Sequence, residues 1–254
     1  VAATAPKTVK PPPADTDFTE SVRHEEAVMQ KDVLQKTSPF PTTGDSALQT
    51  NKVLRNTYAL LAATLIFSAV TAAISAWIDP PRMLALVATF GALGLIWFVL
   101  PKVQDSAAGI GVVFLFTGLL GFGLGPMLAH YASFPNGATT IATAMGGTGA
   151  IFLALSGYVL TTRKDFSFMG GFLFVGLLVV IGFMVVNIFL NIPAMSMMIS
   201  AAIVLLMSGL ILFDTSRIIN GGETNYIRAT TSMFLNILNL FTSLLHLLGI
   251  GNSD

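Results

Sequence analysis

The chain has 254 residues, of which 54% are hydrophobic and only 10% charged, with a mean hydropathy of +0.76. A soluble globular domain carries about 25% charged residues, so this is the composition of an integral membrane protein, and a formal net charge of zero gives no basis for nucleic-acid binding. The absence of cysteine excludes disulfides, thiol catalysis and thiolate metal sites.

Charge divides the chain in two. Residues 1–50 hold five Lys/Arg and seven Asp/Glu, whereas the whole remainder holds eight and six. The first stretch is rich in Pro, Thr, Asp and Glu, with Pro11, Pro12 and Pro13 in a row. Such a segment cannot bury enough apolar surface to offset its ordering entropy. It is expected to be a flexible polar tail, with at most a short helix near Thr19 to Gln35, and residues 51–254 to form the membrane domain. The tail has no apolar signal-peptide core. Val1 in place of a methionine is compatible with a processed terminus, a fragment or a valine-type start codon, with Met29 as a candidate true start and a cleaved organellar targeting peptide as the competing account.

A bilayer span needs about 20 mostly apolar residues. Seven stretches qualify: Thr57–Trp77, Met83–Leu100, Ala107–Ala129, Ala138–Leu160, Met169–Leu190, Pro193–Phe213 and Thr231–Ile250. Their short connections predict an all-α, seven-helix bundle in the lipid bilayer. Lys52, Arg55, Lys102, Arg163, Lys164, Arg217 and Arg228 fall at one set of span ends, and only Arg82 at the other. Positive residues stay on the cytoplasmic side, so the N-terminus is expected inside and the C-terminus outside.

Small residues recur every four positions on the third span (Gly121, Gly125) and the fourth (Ala142, Gly146, Ala150, Ala154). Such rows let helix backbones approach closely. Pro126 is expected to bend or end the third span.

The last span carries Ser232, Asn236, Asn239, Ser243 and His246 at alternating spacings of four and three, which places them on one helix face. Unpaired polar groups in hydrocarbon are costly, so this stripe is expected to face protein or water and the helix to sit centrally. Two readings stay open: hydrogen bonding between helices, or a hydrated ion or proton path. Asn187 and Asn191 could face the stripe. No HExxH, GxSxG or P-loop pattern occurs, the Gly121–Pro126 run lies inside a span, and His24, His130 and His246 are dispersed. Neither a catalytic constellation, nor a metal site, nor a cofactor site is expected.

Between the last two spans runs FDTSRIINGGETNYIRA, Phe213 to Ala229. Glu223 and Arg228 read as a solvated ion pair. Asp214 directly follows Ile211, Leu212 and Phe213, and an ionisable group at the edge of hydrocarbon is a functional-site candidate.

This block, together with NKVLRNTY (Asn51 to Tyr58) and LTTRKDFSF (Leu160 to Phe168), resembles the Bax inhibitor-1 family, most closely its bacterial YccA-like branch, over about residues 51–254. The resemblance implies a seven-helix bundle with a central last helix. It also implies a bacterial inner membrane (in the alternative, the mitochondrial inner membrane) and association with an FtsH-type membrane AAA protease, which the protein would restrain without being an enzyme. Other family members are proposed calcium leak channels with a pH-sensitive aspartate pair on helices six and seven and a basic latch near helix two. Asp214 matches the first aspartate, Asn236 stands in place of the second, and Lys102 is a loose candidate for the latch. A cation leak pathway through Asp214, Asn236, Asn239, Ser243 and His246 is the alternative function. A third reading is an accessory subunit of a larger membrane complex, contacted through the tail.

Overall fold

The computed structural model describes residues 43–250 together with Arg23, Glu25, Glu26 and Met29. Apart from those four residues, which are helical and exposed, the sequence before Thr43, with its expected short helix, lies outside the described residues, as do positions 251–254. The chain divides into two units, Val1–Asp45 and Ser46–Asp254, and the bundle belongs to the second.

Seven long helices follow one another: α1 Thr43–Ile78, α2 Arg82–Gly94, α3 Ala107–Ala132, α4 Gly137–Thr162, α5 Gly170–Leu190, α6 Pro193–Ile219 and α7 Tyr226–Ile250. A π-helical turn, Leu95–Val99, and a last α turn, Leu100–Val103, prolong α2. Pro101 accounts for the π turn. Its ring would strike the carbonyl one turn back, and the helix absorbs an extra residue there, with the Leu100 N–H bonded to the Leu95 carbonyl. Each of the seven, α2 together with its two added turns, supplies a segment long and apolar enough to cross a membrane, and no strand occurs among the described residues. The all-α seven-span expectation holds.

The last helix is central, as expected. It packs against α3, α4 and α6, and the Thr230 hydroxyl donates to the Thr57 carbonyl of α1 at 3.3 Å. Forty-four per cent of its span is buried, against 11% of the α5 span. The main core joins Leu61, Val113, Phe116, Ile218, Ile227, Met233 and Phe234. Phe116 and Phe234 meet edge to face with centroids 5.7 Å apart, the arrangement the ring quadrupoles favour.

Pro126 does not end the third helix. α3 runs through it to Ala132. A helical proline removes the hydrogen bond to the carbonyl four residues back, here that of Phe122. The Ser75 hydroxyl of α1 donates to that oxygen at 2.7 Å, so a neighbouring helix supplies the missing donor. Ser75→Ala is therefore expected to lower stability by about 1–2 kcal/mol, read as the unfolding midpoint in detergent. An unchanged midpoint would mean that the Phe122 oxygen needs no partner.

The two small-residue rows behave differently. On α3, the glycines let α1 approach: Gly118 lies under Phe67, Gly121 against Ser68 and Thr71, and Gly125 against Ser75. Facing them, α1 presents a buried hydroxyl stripe, Thr57, Thr64, Ser68 and Ser75. On α4, by contrast, Ala142, Gly146, Ala150 and Ala154 are all exposed, and a Cβ added at Gly146 would meet nothing. Among the described residues this row packs against nothing, because α4 turns its other face, with Thr148, Phe152 and Ser156, toward α6 and α7.

Candidate functional site

Asp214 is not at a helix end. α6 continues through Thr215, Ser216 and Arg217 to Ile219, past the point where hydropathy falls, because termination is set by capping. Gly221 takes φ +75°. The Gly222 N–H then bonds to the Arg217 carbonyl at 2.8 Å and the Gly221 N–H to that of Ile218 at 3.3 Å, the paired bonds of a left-handed glycine cap. α7 likewise starts at Tyr226, before the apolar run. Asn225 caps it, its Oδ1 accepting the N–H groups of Ile227 at 2.9 Å and Arg228 at 3.2 Å, as a side-chain N-cap does. Asn236 is thus about ten residues, or roughly 15 Å, into α7.

Asp214 is 8% exposed and faces α7. Its Oδ2 accepts the Ser232 hydroxyl at 2.5 Å and the Asn236 amide at 2.8 Å. Hydrogen bonds to a carboxylate are among the stronger ones, so these two clasp α6 to α7. Ser232 and Asn236 sit one turn apart on α7, which is why both reach one oxygen.

The rest of the α7 stripe is divided. Ser243 is buried. Asn239 is exposed, its amide turned back to the Leu235 carbonyl at 2.9 Å. His246 is half-buried, and its Nε2 has no hydrogen-bond partner among the described residues. A cavity of about 490 Å³ lies between α1, α3, α4 and α7. Its α7 wall is Phe234, Ile237, Leu238 and Phe241, on the opposite side of the helix from the stripe. Asn187 and Asn191 do not join the stripe. Asn187 donates to Ser196 at 2.7 Å and accepts the Ile192 N–H at 3.1 Å, and Asn191 is the left-handed cap of α5; the two build the α5–α6 turn. Lys102 is exposed and forms no ion pair among the described residues. The basic group on the helix of Asp214 is Arg217, which lies over the Phe213 ring.

Around the end of α6, hydroxyls that drew no notice in the sequence tie helices together. Thr215 meets Ser156 of α4 at 3.3 Å. The Ser216 oxygen accepts the Phe166 N–H at 2.8 Å, and lies 3.3 Å from Asp165 Oδ1. Hydrogen bonds from Ser167, with a smaller one from Ser216, hold the Asp165 carboxyl below its ordinary range. A lowered folded value stabilises the α4–α5 turn above the carboxylate's unfolded pKa, and that contribution is lost as pH falls through the folded one. The regular spacing of Thr57, Thr64, Ser68 and Ser75 was a legible signal for the buried α1 stripe. Nothing in the local sequence marks Ser156.

Among the described residues, no three His, Asp or Glu side chains converge as a metal site would require. What the arrangement supplies is a buried carboxylate held by neutral donors between two central helices.

Residues 50–253 match the family model described as inhibitor of apoptosis-promoting Bax1. The chain is 52% identical to a membrane protein of Vibrio cholerae over 210 residues, which are 83% of this chain and 94% of that one. It is 50% identical over 209 residues to the Escherichia coli K12 protein named modulator of FtsH protease YccA, covering 82% and 94%. The match to the Escherichia coli O6:H1 protein named inner membrane protein YccA has the same identity and extent. The chain is therefore a membrane protein of the Bax inhibitor-1 family, in its bacterial YccA-like branch.

Proposed function

We propose that the protein is a non-enzymatic regulator in a bacterial inner membrane that restrains an FtsH-type membrane AAA protease. The observation carrying this reading is the 50% identity to a protein named for that role, along 94% of its length. The bundle's shape supports it. Connections of a few residues between helices leave little surface outside the membrane beyond the polar N-terminal tail. A partner is then met by helix faces or by that tail, which by its charge pattern is on the cytoplasmic side. In this reading the protease engages the N-terminal segment as it would a substrate. Removing residues 1–42, which precede α1, is expected to leave the bundle folded and to weaken its restraint of the protease, read as reporter-substrate turnover.

The orientation has its own test. Since the chain has no cysteine, single-cysteine variants report sidedness directly. In intact cells, an impermeant thiol reagent is expected to label Ser253→Cys and to spare Ser46→Cys. The reverse pattern would invert the topology.

A second reading, a cation leak, is favoured by the juxtaposition of Asp214 with Asn236 at 2.8 Å. Replacement of the second family aspartate by an amide removes the coupling between two acids, so this reading predicts a weakly pH-dependent leak.

A further inference from the structure

The loop joining α6 to α7 is bound more heavily than a connection needs. Glu223 is only 10% exposed at its side chain, and its Oε2 lies 3.1 Å from Arg228 and 3.7 Å from Arg217. Its Oε1 accepts the Asn225 N–H at 3.0 Å. Arg217 also donates to the Gly222 carbonyl at 3.1 Å. Asn225 uses its oxygen to cap α7 and its amide to reach the α2–α3 turn, at 3.0 Å from the Gln104 carbonyl and 2.7 Å from Asp105 Oδ1. One asparagine thus fixes the start of α7 and pins the loop across the bundle end.

Behind the loop sit Ile218 and Ile227, each 1% exposed, packed in one cluster with Leu100. Asp214 and Ser232 lie just beyond them along α6 and α7. Ile227 is two residues from Asn225 and sits in the apolar cluster directly behind the cap and the pin.

We infer that residues 220–228 are a strap closing one end of the bundle, and that release of Asn225 from Gln104 and Asp105 unseats Ile227 and opens the Asp214 site to water. The device is a gate in the fold, and it is independent of the protease reading. Opening is local because the groups that hold the strap are polar contacts at the rim, while the helices beyond it are held by the apolar core.

The test uses full-length protein in nanodiscs, where both faces meet the reagent and membrane orientation has no bearing. Thr215→Cys, next in sequence to Asp214 and fully buried against Ser156 of α4 at the same level of the bundle, is the probe for a charged, water-soluble maleimide. Ser200→Cys, buried near the other end of α6, reports loosening of the whole bundle. Labelling follows the open population when reclosing is fast. With the strap intact, Thr215→Cys is expected to react slowly. Asn225→Ala is expected to speed it about tenfold, and Glu223→Gln, which keeps the side-chain shape and loses both ion pairs, by a few-fold, with Ser200→Cys unchanged. Fast labelling behind the intact strap overturns the inference, as does an unchanged rate in Asn225→Ala. A rise at Ser200→Cys in step with Thr215→Cys also overturns it, since the loop would then support the bundle as a whole. If Asn225→Ala yields no folded protein, Glu223→Gln decides alone, and an unchanged rate there rejects the gate.

Discussion

Gly121→Leu is expected to abolish recovery of folded protein, while Gly146→Leu leaves it intact. Both glycines lie within membrane helices, and both belong to rows with a four-residue repeat. Gly121 faces α1, where even a Cβ would overlap the Ser68 carbonyl, the Ser68 hydroxyl and the Thr71 hydroxyl. A backbone oxygen cannot rotate away, so α1 and α3 would have to separate. Separation would also pull Ser75 from the Phe122 carbonyl. Gly121→Ala is the graded version, with a loss of roughly 1–3 kcal/mol from overpacking. At Gly146 a side chain meets open space, and Gly146→Ala is expected to be neutral or stabilising by up to about 1 kcal/mol from helix propensity. Unfolding midpoints in detergent separate the two. Equal behaviour of the pair would mean that the α1–α3 contact does not depend on the glycine row.

Asn236→Asp is expected to confer a pH dependence stronger than that of the unsubstituted protein. One oxygen of Asp214 now accepts two neutral donors, Ser232 and Asn236. The substitution places a second carboxylate within hydrogen-bonding distance of the first. Two carboxylates so close cannot readily both ionise, so they share a proton and titrate in coupled steps. The unshared state repels α6 from α7, whereas the shared state joins them. Calcium flux from liposomes is the readout. Little change between neutral and mildly acidic pH is expected in the native chain. A pH-dependent flux is expected in Asn236→Asp, lost again when Asp214→Asn is added. A strongly pH-gated native flux that Asp214→Asn abolishes would show that one carboxylate suffices.

Hydropathy alone located seven spans, because each must match the thickness of hydrocarbon. It misjudged their ends for the same reason. Apolar runs report where lipid stops, whereas a helix stops where its backbone is capped. For α6 that point is Gly221, and for α7 it is Asn225, both inside the block that carried the family resemblance. The α7 stripe was legible as a face, but not which members matter. Ser232 and Asn236 are distinguished from Asn239 only by the register of α6, which brings Asp214 opposite them. The α3 and α4 small-residue rows are indistinguishable as patterns. What separates them is the partner face, the hydroxyl stripe of α1 opposite Gly121 and Gly125. Asn187 and Asn191 have a spacing that suits a helix face, yet, with α6 starting at Pro193, Asn187 spends its side chain on the turn and Asn191 caps α5.

The central proposal, restraint of a membrane protease, is met most directly by reconstitution. An FtsH-type protease is placed in liposomes with a membrane reporter substrate, and degradation is followed with and without the full-length chain. The proposal predicts slower degradation in its presence and co-purification of the two proteins from native membranes. An unchanged degradation rate, with no protease recovered alongside the chain, would contradict it.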